Sequence, residues 1–160
     1  MPERPTDATL VALIREATDP DASAIASLYL ASRKIHLPYA KVKGDDADVE
    51  TWIRERLIPK GEVYVLEIES DILAFAALSR SAKESWIDQL YVAPDQVGLG
   101  HGAYLLRFAL KRLPPPVFAY AFQRNRGARL FYERHGFRAV SFTDGQQNEE
   151  SCPDVLYRYP

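Results

Sequence analysis

The sequence holds one cysteine, Cys152. Without a second thiol the chain cannot close an internal disulfide, and no Cys/His cluster has zinc-site spacing. Histidine is scarce too: His36, His101 and His135 lie far apart, so nothing argues for a metal centre. No window reaches the length of a membrane span, and the opening MPERPTDATLVALIREATDP lacks the apolar stretch of a signal peptide. A reducing cytoplasm is the expected compartment. Excess charge of one sign is also missing. Lys plus Arg number 20 and Asp plus Glu 22, a formal net charge of −2. That balance leaves no electrostatic footprint for a nucleic acid or an anionic membrane. No internal repeat or low-complexity tract is visible.

What is present is enough apolar sequence, 47% of 160 residues, to bury one sizeable core. MPERPTD reads as a frayed tail, so residues 1–9 are expected to be flexible and 10–160 to form a single domain. LVALIREA (10–17) reads as a first strand. Asp19 and Pro20 look like an N-cap and the first position of a helix over about 20–33. A second helix is expected over 46–58, with Val49, Trp52, Ile53 and Leu57 on one stripe, ended by Pro59 and Gly61. EVYVLEIES (62–70) and DILAFAALS (71–79) suggest a hairpin, and ESWIDQLYV (84–92) a further strand stopped by Pro94. A helix over about 100–113, a strand over 117–123 and a helix over 125–135 follow. Gly136 is placed to cap that last helix, and strands 137–142 and 155–160 close the chain. Hairpin-like strands first and a β-α-β crossover later predict a mixed α+β sheet.

The stretch PDQVGLGHGAYLL (94–106) sets Gly98, Gly100 and Gly102 at every second position, between a strand and a helix. Glycine admits positive φ and close approach of its N–H, and a helix N-terminus leaves amides without partners. The helix dipole also favours an anion there. Two readings stand: a tight turn that permits close strand–helix packing, and a backbone cradle for phosphate. A Walker A loop is excluded because no Lys-Ser/Thr pair follows the glycines. The dinucleotide pattern G-x-G-x-x-[GA] does fit Gly98, Gly100 and Ala103. Its context does not: Ala93 to Val97 intervene after the strand, and AFQRN (121–125) offers no ribose-binding acid.

LYVAPDQVGLGHGAYLL resembles motif A of the GNAT superfamily of N-acetyltransferases. NRGARLFYERHGF (125–137) resembles that family's next motif, N-x-x-A-x-x-[FL]-Y-E-x-x-G-F. The two cover about 84–137, in the right order and one strand apart. One departure is Val97, which stands at the family's Arg/Gln position, with Gln96 one residue early. That position contributes chiefly a backbone N–H. The resemblance implies one domain whose mostly antiparallel sheet of six to seven strands splays between the fourth and fifth, flanked by about four helices. It implies acetyl-CoA as cosubstrate, its pyrophosphate on the amides of Val97, Gly98, Leu99, Gly100, His101, Gly102 and Ala103. Its pantetheine arm would pair with the backbone of Leu90, Tyr91 and Val92, an N–H of which could polarise the thioester oxygen. Asn125 matches the side chain that hydrogen-bonds the arm.

Tyr132, seven residues after Asn125, matches the family's general acid. A phenol there could protonate the departing thiolate of coenzyme A; the alternative is a packing role beside Leu130 and Phe131. The positions where family members carry a basic glutamate are Tyr120 and Trp86 here. Asp88 shares strand parity with Trp86 and Leu90 and is the candidate base, with Glu84 second; a base acting through water, or none, is equally open. Arg124, Arg126 and Arg129 form either a solvated face or, with Arg129 foremost, a phosphate contact. The acceptor, an amine, would lie between about 29–53 (Tyr29, His36, Tyr39, Trp52) and 142–156 (Asp144, Glu149, Glu150, Asp154). Carboxylates there suit a cationic amine, or are solvated loop residues. A homodimer is a further suggestion of the family. Two rivals remain, a non-catalytic acyl-CoA sensor of the same fold and a Rossmann-like nucleotide binder.

Overall fold

Residues 11–160 are described by the structure, a computed structural model; the tail expected over 1–9 lies outside them. Seven strands form one sheet in the order β1-β2-β3-β4-β5-β7-β6. They are β1 Leu13–Glu16, β2 Val63–Ile68, β3 Asp71–Arg80, β4 Ser85–Val92, β5 Val117–Phe122, β6 Arg138–Phe142 and β7 Asp154–Tyr159. The helices are α1 Ala22–His36, α2 Asp46–Trp52, α3 His101–Arg112 and α4 Arg126–Arg134. β4 and β5 pair in parallel and the other neighbours antiparallel, the mixed sheet the element order predicts.

Local chemistry sets the boundaries. The β2–β3 hairpin turns on Glu69 and Ser70, both at positive φ (50° and 69°), as a two-residue reversal between twisted strands requires. The entry to α1 differs from expectation. Thr18, not Asp19, opens the segment: its N–H donates to Asp21 Oδ2 at 2.7 Å. A short 3-10 turn, Asp19–Asp21, then leads into α1, which runs on to His36. Asp21 also receives both ends of the Arg15 fork, at 2.8 and 2.9 Å. α2 continues as a π turn, Ile53–Leu57, and a 3-10 turn, Ile58–Lys60, before Gly61 reverses the chain at φ 89°.

Two cores sandwich the sheet. On one face Leu66, Ala74, Ala76, Ile87, Ala119 and Tyr157 pack against Leu105, Leu106 and Ala109 of α3 and Tyr132 of α4. Leu105 and Leu106 are fully buried, each contributing roughly 1.5–3 kcal/mol. On the other face Val63, Val65, Phe75 and Ala77 pack against Ile25, Ala26 and Tyr29 of α1 and Val49 of α2. The α1 contacts fall at helical spacing, which is why that amphipathic segment folds onto the sheet.

Two irregularities in β4 create the site. Its parallel pairing with β5 covers Ser85↔Val117, Trp86↔Phe118 and Ile87↔Ala119, then stops, although both strands continue. On the opposite edge Ile87 pairs with Leu78 and Gln89 with Ala77, so Asp88 bulges out without a partner. The bulge corrects the simple alternation expected of this strand. Ile87 and Leu90 share the α3 face while Tyr91 packs on the α1 face, so Asp88 and Leu90 do not point the same way.

Candidate active site

The parting of β4 from β5 leaves backbone groups without a neighbour. Ser85 N–H reaches across to Pro116 O at 3.0 Å, whereas Ala93 N–H donates to Leu73 O of β3 at 2.8 Å. Polar backbone groups alternate between the edges of a strand. The bulge shifts that alternation by one, so Tyr91 is turned to β3 and Leu90 and Val92 face the opening. Of the expected trio, then, Leu90 and Val92 present backbone to the wedge. Tyr91 contributes its ring, which stacks on Phe75 at 5.6 Å and meets Tyr29 edge-on at 5.0 Å.

The glycine loop continues the same line. After a 3-10 turn, Pro94–Gln96, Gly98 and Gly100 adopt φ of 83° and 88°, and Gly100 is the N-cap of α3. The N–H groups of Val97 through Ala103 donate to no backbone acceptor among the described residues. A run of unpaired amides at the start of a helix suits an anion by geometry and by dipole. Gly102 differs from the other two. It is helical, and a Cβ there would sit 3.5 Å from Phe131 and Val92, an ordinary contact. Positive φ therefore explains Gly98 and Gly100 but not Gly102. His101 turns its ring back to Gln96, Nε2 to Oε1 3.3 Å.

Below the loop the wedge opens into a cleft of about 630 Å³ that Asp88, Leu90, Asn125 and Tyr132 all line. Asn125 caps α4 at the cleft wall, its Oδ1 accepting from Ala128 N–H at 3.1 Å, and its amide NH2 has no protein acceptor among the described residues. Tyr132 is 6% exposed, its ring stacked on Tyr157 and edge-on to Phe137. Burial pushes the phenol well above its usual value, so near neutrality the hydroxyl is protonated. Asp88 is exposed at the cleft wall, with protein surrounding part of its carboxyl. That desolvation raises its pKa above the ordinary value, with Ser79 and Lys60 acting in the opposite direction. Trp86 and Tyr120 are stacked at 5.6 Å and 20°, an aromatic wall beside Asp88. Glu84 is engaged by Trp86 Nε1 at 3.0 Å.

Arg129 is not brought into this constellation. Its Nε donates to Tyr157 Oη at 3.1 Å, and its guanidinium lies 5.5 Å from the Phe142 ring, toward β6 and β7. Arg124 covers the Tyr39 ring at 4.2 Å. On the acceptor side Tyr29, Trp52, Glu149, Glu150 and Asp154 line the cleft, and His36 and Tyr39 do not. Sequence reasoning missed Arg33, buried in the same wall at 5% exposure. Its helical spacing from Tyr29 on the apolar stripe of α1 was the available signal. Among the described residues no cluster of His, Cys, Asp and Glu is placed to hold a metal, and no helix is long and apolar enough to cross a membrane.

No curated protein matches the chain in sequence. The acetyltransferase (GNAT) domain family matches residues 59–139. Solved structures share the whole fold. The PaiA N-acetyltransferase of Thermoplasma acidophilum, in complex with coenzyme A, superposes with a TM-score of 0.72 at 18% identity, covering 94% of this chain and 99% of the other. Apo YjaB of Escherichia coli gives 0.74 at 20%, covering 94% and 98%. The ribosomal-protein-S18-alanine N-acetyltransferase of Escherichia coli gives 0.72 at 17%, covering 94% of each. At such identities the likeness speaks to fold alone. It corrects the Rossmann-like alternative, whose sheet would be parallel throughout.

Proposed function

The chain belongs to the GNAT acetyltransferases, and from that premise we propose that it moves an acetyl group from acetyl-CoA to a primary amine by direct attack in a ternary complex. The observation that carries this reading is the wedge. Leu90 and Val92 offer unpaired backbone along one wall, where an extended amide-bearing arm would add as a surrogate strand. The amides of Val97 through Ala103 lie next in line for the diphosphate. Asn125 supports the arm from α4.

The residues divide the chemistry as follows. A neutral amine nitrogen attacks the thioester carbonyl carbon, forming the C–N bond. The oxygen that gathers charge is met by an N–H of Leu90 or Val92. Collapse breaks the C–S bond, and Tyr132 gives its proton to the departing sulfur. Asp88 takes the proton that the ammonium must lose, directly or through water. Its raised pKa brings it closer to the working range of a base. The unpaired thiol of Cys152 favours a reducing cytoplasm as the site of action.

A melting panel of acetyl-CoA, CoA, NAD, NADP and ATP, followed by CoA-thiol release against a pool of amines, tests the proposal. Stabilisation by the two CoA species alone, about 2.7 kcal/mol at a hundred times Kd, and thiol release are the expected results. Binding without thiol release identifies a sensor instead, and no CoA-linked shift overturns the reading.

A further inference from the structure

The acceptor wall contains a buried cation whose hydrogen bonds are incomplete. Arg33 Nη1 donates to Tyr91 Oη at 3.1 Å, and Nη2 to Ala40 O at 3.1 Å and Glu150 Oε1 at 3.2 Å. Its Nε is buried with no partner. The guanidinium lies 5.4 Å from the Tyr29 ring and 6.0 Å from the Phe122 ring, so its plane is held from several sides. A guanidinium out of water needs an anion and a full set of acceptors. Here the anion is supplied end-on by Glu150, from the loop between β6 and β7, at a length beyond the 2.7–2.9 Å of a strong charge-assisted bond.

We propose that Arg33 anchors a carboxylate on the amine acceptor, and that Glu150 occupies that place as an internal surrogate; this rests on the acceptor reading above. Charge decides between ligand classes. Exchanging one carboxylate for another leaves the buried cation neutralised, whereas a cationic tail would strip Arg33 of the Glu150 counter-ion or lie against it. Glu150 is the more accessible of the two partners. Its side chain is 20% exposed against 5% for Arg33. The loop is braced independently, with Asn148 donating to Cys152 O at 2.6 Å and Asp154 Oδ2 at 3.0 Å. Glu150 can therefore swing out by rotation without unfolding its loop. The acceptor class is thus an amino acid or another amine that also bears a carboxylate.

The test uses product-like probes, so that it needs no turnover. N-acetylglycine, N-acetyl-γ-aminobutyrate and N-acetyl-ε-aminocaproate are titrated against their carboxamides, with and without CoA. At least one acid should bind roughly tenfold or more tightly than its amide, the scale of a hydrogen bond to a charged group. Arg33→Met should bring that acid down to the amide level. Glu150→Gln, which removes the competitor and keeps the fold should Arg33→Met not, should tighten acid binding. Equal binding of acids and amides, no binding of any acid, or unchanged or weaker acid binding in Glu150→Gln overturns the proposal. If acids bind and CoA does not, the transferase reading fails while the carboxylate site stands.

Discussion

Replacing Tyr132 by Phe separates chemistry from packing at this site. The ring is buried between Tyr157, Phe137 and Phe131, and Phe keeps that ring. No protein group shares a hydrogen bond with the hydroxyl among the described residues, so deleting it strands no partner. Stability should change by less than about 1 kcal/mol, since no protein hydrogen bond is lost. The rate should change far more. General acids supply roughly 10²–10⁴-fold, but a thiol of pKa about 8.5 leaves tolerably unaided. A fall of roughly 10–1000-fold follows, equivalent to about 1.4–4 kcal/mol in the barrier. Single-turnover CoA-thiol release is the assay, since slow product release would mask the step in kcat. Tyr132→Ala provides the contrast, removing the ring at about 3–5 kcal/mol of stability. A Tyr132→Phe protein that melts normally and turns over at the wild-type rate would refute the acid assignment and leave Tyr132 as core.

Three further outcomes are expected. Asp88→Asn should lower kcat/KM by roughly 10²-fold with no loss of stability, and should remove the acidic limb of the pH–rate profile; an unchanged limb points to water as the base. Gly100→Ala, forced to φ 88°, should cost about 1–2 kcal/mol and raise the Kd for CoA, whereas Gly102→Ala should bind CoA as the wild type does; equal losses would show that space, not backbone conformation, selects these glycines. Alkaline pH should destabilise the fold, because burial holds Tyr29 up at about 12, and Tyr132 and Tyr91 are raised too. The unfolded chain releases those protons from about pH 10, where the native state retains them. Stability therefore falls as pH climbs from 10 toward 12, and a denaturation midpoint that stays flat there would contradict the burial of these phenols.

The legible parts of the site were those written as local pattern. Glycines at 98 and 100 announce positive φ before a helix, because that effect acts within a few residues; that Asn125 caps α4 is seen only in the structure. Arg129 shows the limit of such local reading. Its sequence neighbourhood is basic, but α4 turns it toward Tyr157, a partner 28 positions away. Arg33 was overlooked because arginine is ordinarily solvated, and its stripe position gains meaning only with its buried partners, Ala40 O and Glu150. The parity argument for Asp88 failed at the bulge, which no single-strand periodicity reveals, since a bulge exists only relative to the strand opposite.

Sequence alone determined the succession of strands and helices, the mixed character of the sheet and the anion-ready turn before α3. These follow from side-chain periodicity, from glycine's missing Cβ and from amides that a helix start leaves unused. Tertiary structure alone decided where β4 and β5 separate, after Ile87 and Ala119, that the bulge at Asp88 swings Leu90 and Val92 to the open edge, and that Arg33 meets a carboxylate 117 residues away. Those outcomes depend on register and on which distant groups share a desolvated wall, and neither is encoded within reach of any one residue's neighbours.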